Sequence, residues 1–84
     1  MNLQIENMVQ DLHNAFHGID KNAIMGNSDT KRVMFKRTTS AVFADKPWVV
    51  THYMYDESQN KFCFFWSHYD MDKISAFNDL MGDK

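Results

Sequence analysis

Hydrophobic and polar positions change period along the chain, and the changes mark out the elements. Ile5, Met8, Val9, Leu12, Phe16 and Ile19 recur at intervals of three and four, the spacing of one helix face. This predicts an amphipathic helix over Leu3 to Ile19, with Asn2 placed to cap its start and Gly18 to take a left-handed turn at its end. From Trp48 the pattern becomes that of strands. Two eight-residue arms, WVVTHYMY and KFCFFWSH, are rich in the β-branched and aromatic side chains that suit a pleated, half-buried surface. The polar run Asp56 to Asn60 between them reads as the loop of a β-hairpin. After His68 helical spacing returns at Met71, Ile74, Phe77 and Leu80 or Met81. Asp70 or Asp72 is suited to cap this second helix, and Gly82 to close it.

The remaining stretches are less regular. Gly18 to Thr30 mixes glycines, asparagines and aspartates around Ala23, Ile24 and Met25, and reads as a loop with one helical turn. Lys31 to Phe43 alternates at Val33 and Phe35 and predicts a first strand, bent or bulged near Thr38 to Ser40. Ala44 to Pro47 then turns the chain into the hairpin, where a proline without an amide hydrogen costs no ladder bond. The expected architecture is a single α+β domain over 1–84, in the order α-β-β-β-α. It is a three-stranded antiparallel sheet with two helices packed on one face.

A five-residue loop fixes which side chains share a face. It pairs Tyr55 with Lys61, Tyr53 with Cys63 and Thr51 with Phe65. On the other side it pairs Met54 with Phe62, His52 with Phe64 and Val50 with Trp66. The second set, extended by Trp48 and His68, is the bulkier and is assigned to the core. The opposite face then presents Arg32, Met34 and Lys36 of the first strand beside Tyr53, Tyr55 and Phe65. Aromatic rings among cations, with neither helix over them, are the composition of a protein-binding surface. A loop one residue shorter or longer would invalidate this pairing.

The order of elements resembles that of the double-stranded-RNA-binding domain. That family grips phosphates with a Gly-Pro-x-His loop and a lysine cluster opening its last helix. Here the matching places hold ADKP at Ala44 to Pro47 and YDMDK at Tyr69 to Lys73. Asp70 and Asp72 would repel phosphates, so the resemblance carries the topology and not the function.

Composition adds bounds. Eighty-four residues with 44% hydrophobic and 14% aromatic content suit one small folded domain. A net charge of −2 lacks the basic excess of a nucleic-acid binder. Cys63 is the only cysteine, the N-terminal MNLQIENMVQ lacks a signal-peptide layout, and no apolar run is long enough for a membrane span. A reducing cytoplasm is the expected location.

Candidate chemistry is sparse. His13 and His17 lie four apart on the first helix, which makes two ligands and not a metal site. Cys63 is expected to point away from both His52 and His68, which leaves no nucleophile pair. Asp70 and Asp72 are explained by capping. No cofactor and no metal is expected. The functional expectation is a non-enzymatic protein-binding or regulatory module, such as a small inhibitor or adaptor of a phage or mobile element. A second copy of the chain is one candidate partner. The alternative is nucleic-acid binding by base stacking on the same face.

Overall fold

The computed structural model describes residues 2–16, 18–38 and 46–82. Its elements are α1 (Asn2–Phe16), β1 (Ile19–Asn27), β2 (Arg32–Arg37), β3 (Trp48–Asp56), β4 (Lys61–Met71) and α2 (Lys73–Leu80). All four strands form one antiparallel sheet in the order β1-β2-β3-β4. The α+β class and the antiparallel hairpin are therefore as expected, and the three-stranded sheet is corrected to four.

The extra strand lies where a loop was expected. Gly18, at φ 65°, reverses the chain after α1, and its carbonyl accepts the Thr38 amide at 2.6 Å. Ile19 consequently enters the core as the first residue of β1, not as the last of the helix. The polar composition that suggested a loop belongs to an edge strand, where most side chains of IDKNAIMGN meet solvent. Of the expected bend at Thr38 to Ser40 and the expected turn at Ala44 to Pro47, residues 39–45 lie outside the described residues, as does His17.

The hairpin turn is one residue shorter than expected. Asp56 and Lys61 form the last pair of the ladder, leaving Glu57 to Asn60 as the loop. Opposite charges facing each other across two strands favour that closure. The Asp56 carboxylate also accepts the Ser58 amide at 3.0 Å and its hydroxyl at 2.6 Å, which lowers its pKa further below the carboxylate norm. Asn60 takes the left-handed conformation at φ 53°, which asparagine tolerates better than most residues. Tyr55 thus pairs with Phe62, Tyr53 with Phe64, Met54 with Cys63 and His52 with Phe65.

In this register the side chains fall into two cores, one on each side of the sheet. Val33, Phe35, Val49 and Phe62 pack with Met8, Leu12 and Ile19, and with the partly buried Phe16, Ile24, Tyr53 and Phe64. On the other side, Met34 and Val50 pack with Ala76 and Leu80 of α2, flanked by Trp48 and Met71. Neighbours in a strand face opposite ways, so Val33 and Phe35 belong to the α1 side and Met34 to the α2 side. The expected placement of both helices on one face is therefore corrected, and with it the topological likeness to the double-stranded-RNA-binding domain. Each buried Leu, Val or Phe stabilises this arrangement by about 1.5–3 kcal/mol.

Both ends of α2 are fixed to their surroundings. Asp72 accepts the Ser75 amide at 2.7 Å as an N-cap. At the other end the Leu80 carbonyl accepts from Thr30 Oγ1 at 2.8 Å and Asn27 Nδ2 at 3.2 Å. Arg32 reaches the Asp79 carbonyl and, at 3.0 Å, its carboxylate. A cation at the helix C-terminus also complements its dipole. Gly82 closes the helix at φ 83°, its amide bonded to the Asp79 carbonyl at 3.1 Å.

Strand β4 is bulged twice. Its register against β3 slips by one residue between the His52–Phe65 and Val50–His68 pairs, and by one more before Trp48–Met71. Trp66 at φ 53° and Asp70 at φ 59° occupy the two bulges. Near the hairpin the β4 edge is covered, because the Phe62 amide donates to Asp11 of α1 at 2.8 Å. Bulges and charged covers of this kind discourage pairing with a foreign strand.

Candidate binding surface

Strands β3 and β4 run on past β2, and only one side of that extension is covered. On the α1 side, Phe62 is buried and Tyr55 and Tyr53 set their rings edge-on to it at 5.0 and 5.8 Å. On the α2 side the helix stops at Leu80, above Arg32, and does not reach the hairpin. Met54, Cys63, Phe65 and His52 lie on that side, as their pairing with one another and with Arg32 requires.

Trp66 completes a ring cluster there. Its indole stands edge-on to Phe65 at 5.0 Å and to His52 at 5.4 Å, while His52 and Phe65 stack at 5.6 Å. Trp66 remains 74% exposed and Met54 58% exposed. A bulky side chain at positive φ is a true backbone outlier. Without the bulge, strict alternation along β4 would turn Trp66 to the α1 side, beside Phe62 and Phe64.

A polar relay borders the rings. Arg32 Nε donates to His52 Nε2 at 3.1 Å, and its terminal nitrogen meets Asp79 Oδ1 at 3.0 Å. Asp79 Oδ2 lies 2.6 Å from His68 Nδ1. His52 Nδ1 is buried and has no hydrogen-bond partner among the described residues. The charge of Arg32 is therefore spent internally on α2, and the rings beside it are the free part of the face.

The structure divides the six residues expected to form one surface. Arg32, Met34, Lys36 and Phe65 share the α2 side, whereas Tyr53 and Tyr55 face α1. Met34 is buried beneath α2 and is no contact residue in the monomer. Tyr53 is half-buried, and burial raises its phenol pKa above the ordinary tyrosine value. Phe65 alone of the six lies within the ring cluster. Trp66, Met54 and His52 had been assigned to the core side.

The expected separation of Cys63 from the histidines is also overturned, for His52 by the shorter hairpin loop and for His68 by the bulge at Trp66. Cys63, His52 and His68 all fall on the α2 side. Even so, no group of three or more His, Cys, Asp or Glu side chains among the described residues is placed to hold a metal. Among the same residues no helix is long and apolar enough to cross a membrane.

No family model, curated protein or solved structure matches this chain.

Proposed function

We propose that the protein is a small non-enzymatic binding module, of the inhibitor or adaptor kind, that docks on another protein through Met54, Phe65 and Trp66. The observation that supports it is the conformation of Trp66. Holding an L-residue in the left-handed region costs about 1–2 kcal/mol, and the result is a tryptophan that stays 74% exposed. Strain that leaves most of the ring in solvent, instead of turning it to the α1 side beside Phe62 and Phe64, points to a use outside the monomer. Tryptophan in an apolar centre with a polar border is also the make-up of an interface hot spot. Arg32, His68 and Asp79 supply such a border, and Cys63 supplies a small half-buried neighbour.

A nucleic acid suits this patch less well. Phosphate binding needs free cations, and Arg32 is already held by the Asp79 carboxylate.

Adjacent residues on opposite faces allow a sharp test. Met54 and Tyr55 are both exposed, yet one lies beside the ring cluster and the other on the α1 side. A photo-crosslinking amino acid is placed at one or the other position in the native cell. The proposal expects a protein adduct from position 54 and little from position 55, with the adduct surviving nuclease. Adducts from position 55 alone would place the contact on the wrong face. Adducts destroyed by nuclease would replace the partner class.

A further inference from the structure

A second concavity lies on the α2 side, at the opposite end of the helix from the ring cluster. It originates in a mismatch between β1 and β2. From Ile19 to Ile24 the chain takes five steps along β1 while its partners, Arg37 to Phe35, take two. The surplus of three residues loops out, and Asp20, Asn22 and Ala23 become a wall. Fully buried Ala76, with no side chain beyond Cβ, lets α2 sit close to β2 and β3. Between helix and loop there remains a cleft of about 320 Å³. Its lining includes buried Met34 and half-buried Trp48, the exposed side chains of Met25 and Phe77, and two lysines, Lys36 and Lys73.

We propose that this cleft binds a small amphiphilic carboxylate. Its apolar body would lie against Trp48, Met34 and Phe77, and its anion between Lys36 and Lys73. Ligand sites are mostly apolar and aromatic with few polar groups, and start at roughly 300 Å³, so a fused aromatic ring pair is the natural occupant. The sign of the charge follows from the lining. Lys73 Nζ stands 5.8 Å from the centre of the Trp48 ring, held by a cation–π contact over the apolar lining. The one carboxylate of the lining, Asp20, accepts the Asn22 amide at 2.9 Å and so serves its own loop. Two ammonium groups against one carboxylate leave the lining with a single net positive charge, which favours a monoanion over a neutral or cationic ligand of the same shape.

The test uses the whole protein, labelled at its two indole nitrogens, with naphthalene-2-carboxylate as probe and 2-naphthylmethanol as its neutral counterpart. Titration followed by NMR is expected to move the Trp48 indole resonance to saturation and leave that of Trp66 in place. The alcohol, and the carboxylate with the Lys36→Gln/Lys73→Gln variant, should each bind about tenfold more weakly, as expected for a lost charge-assisted contact. Both lysines are exposed, so that variant keeps its fold, and the alcohol gives the same comparison in the unaltered protein. No saturable shift at Trp48, a shift at Trp66 instead, or equal binding of acid and alcohol would each overturn the proposal.

Discussion

Replacing Trp66 tests the backbone strain and separates it from the ring that the strain displays. At an ordinary strand position glycine is less stable than alanine by about 0.5–1 kcal/mol, because it surrenders more freedom on folding. At φ 53° the order must invert. Alanine keeps the left-handed cost of about 1–2 kcal/mol, and glycine does not pay it. The lost ring adds the same amount to both variants. With 74% of Trp66 exposed, about a quarter of a side chain of roughly 250 Å² is buried, worth about 1.5 kcal/mol. Trp66→Ala is therefore expected about 1.5 kcal/mol below the wild type. Trp66→Gly should recover about 1 kcal/mol of that loss. In a domain of this size such a difference separates the two variants by about 4–8 °C in Tm. Urea unfolding followed by far-ultraviolet circular dichroism reads the same order, with an unchanged denaturant slope. An alanine variant as stable as the glycine variant, or more stable, would refute the bulge and the strain derived from it.

Further predictions concern the register, the two faces and the helix cap. The Tyr53 amide points to the Lys31 carbonyl and the Phe62 amide to Asp11, so Tyr53–Phe64 and Tyr55–Phe62 are the closely spaced, non-hydrogen-bonded pairs. Strong Hα–Hα Overhauser contacts are expected within these pairs, whereas a Tyr55–Lys61 contact would restore the longer loop. Leu12→Ala and Leu80→Ala should each cost about 2–5 kcal/mol and add within about 0.5 kcal/mol in the double variant, because they lie on opposite sides of the sheet. Strong coupling in chemical denaturation would put both helices in one core. The Ser75 amide and hydroxyl hold the Asp72 carboxyl below its ordinary pKa. Its contribution is therefore present above the unfolded carboxyl value and lost as the pH falls through the folded one. Asp72→Ala should lower the thermal midpoint at pH 7 and converge on the wild type in acid; a gap that widens in acid would contradict the cap.

Much of the helical part of this fold is legible in the sequence. The Met8, Leu12 and Phe16 stripe, the glycines that end both helices and the Asp72 cap act through local geometry, and local geometry is written in short motifs. Strand β1 is hidden because an edge strand with solvent on most side chains has no reason to alternate. Register is the costlier miss. Asp56 looks like turn material, and because Asp56 to Lys61 is polar throughout, no hydrophobic position in that run marks where the ladder ends. That one residue of loop length moves Phe62 and Phe64 to the side of Tyr53 and Tyr55 and brings Cys63 and Phe65 to that of His52 and Met54. The β2–β3 register, with Arg32 opposite His52, separates the two tyrosines from Arg32, Met34 and Lys36. The bulge at Trp66 leaves no local signal, since tryptophan is among the residues least suited to positive φ. Arg32 and Phe65 do share the α2 side, but His52 stands beside Phe65 only through the shorter loop and Trp66 only through the bulge.

The central functional claim is that the Trp66 cluster makes the contact with a partner protein. Once photo-crosslinking has supplied that partner, its affinity for Trp66→Gly, the variant expected to keep the fold while losing the ring, is the most direct measurement. A hot-spot tryptophan is worth about 2 kcal/mol or more, so the Kd should rise about thirtyfold or more. A Kd unchanged from the wild type, in a glycine variant shown to be folded, would contradict the account.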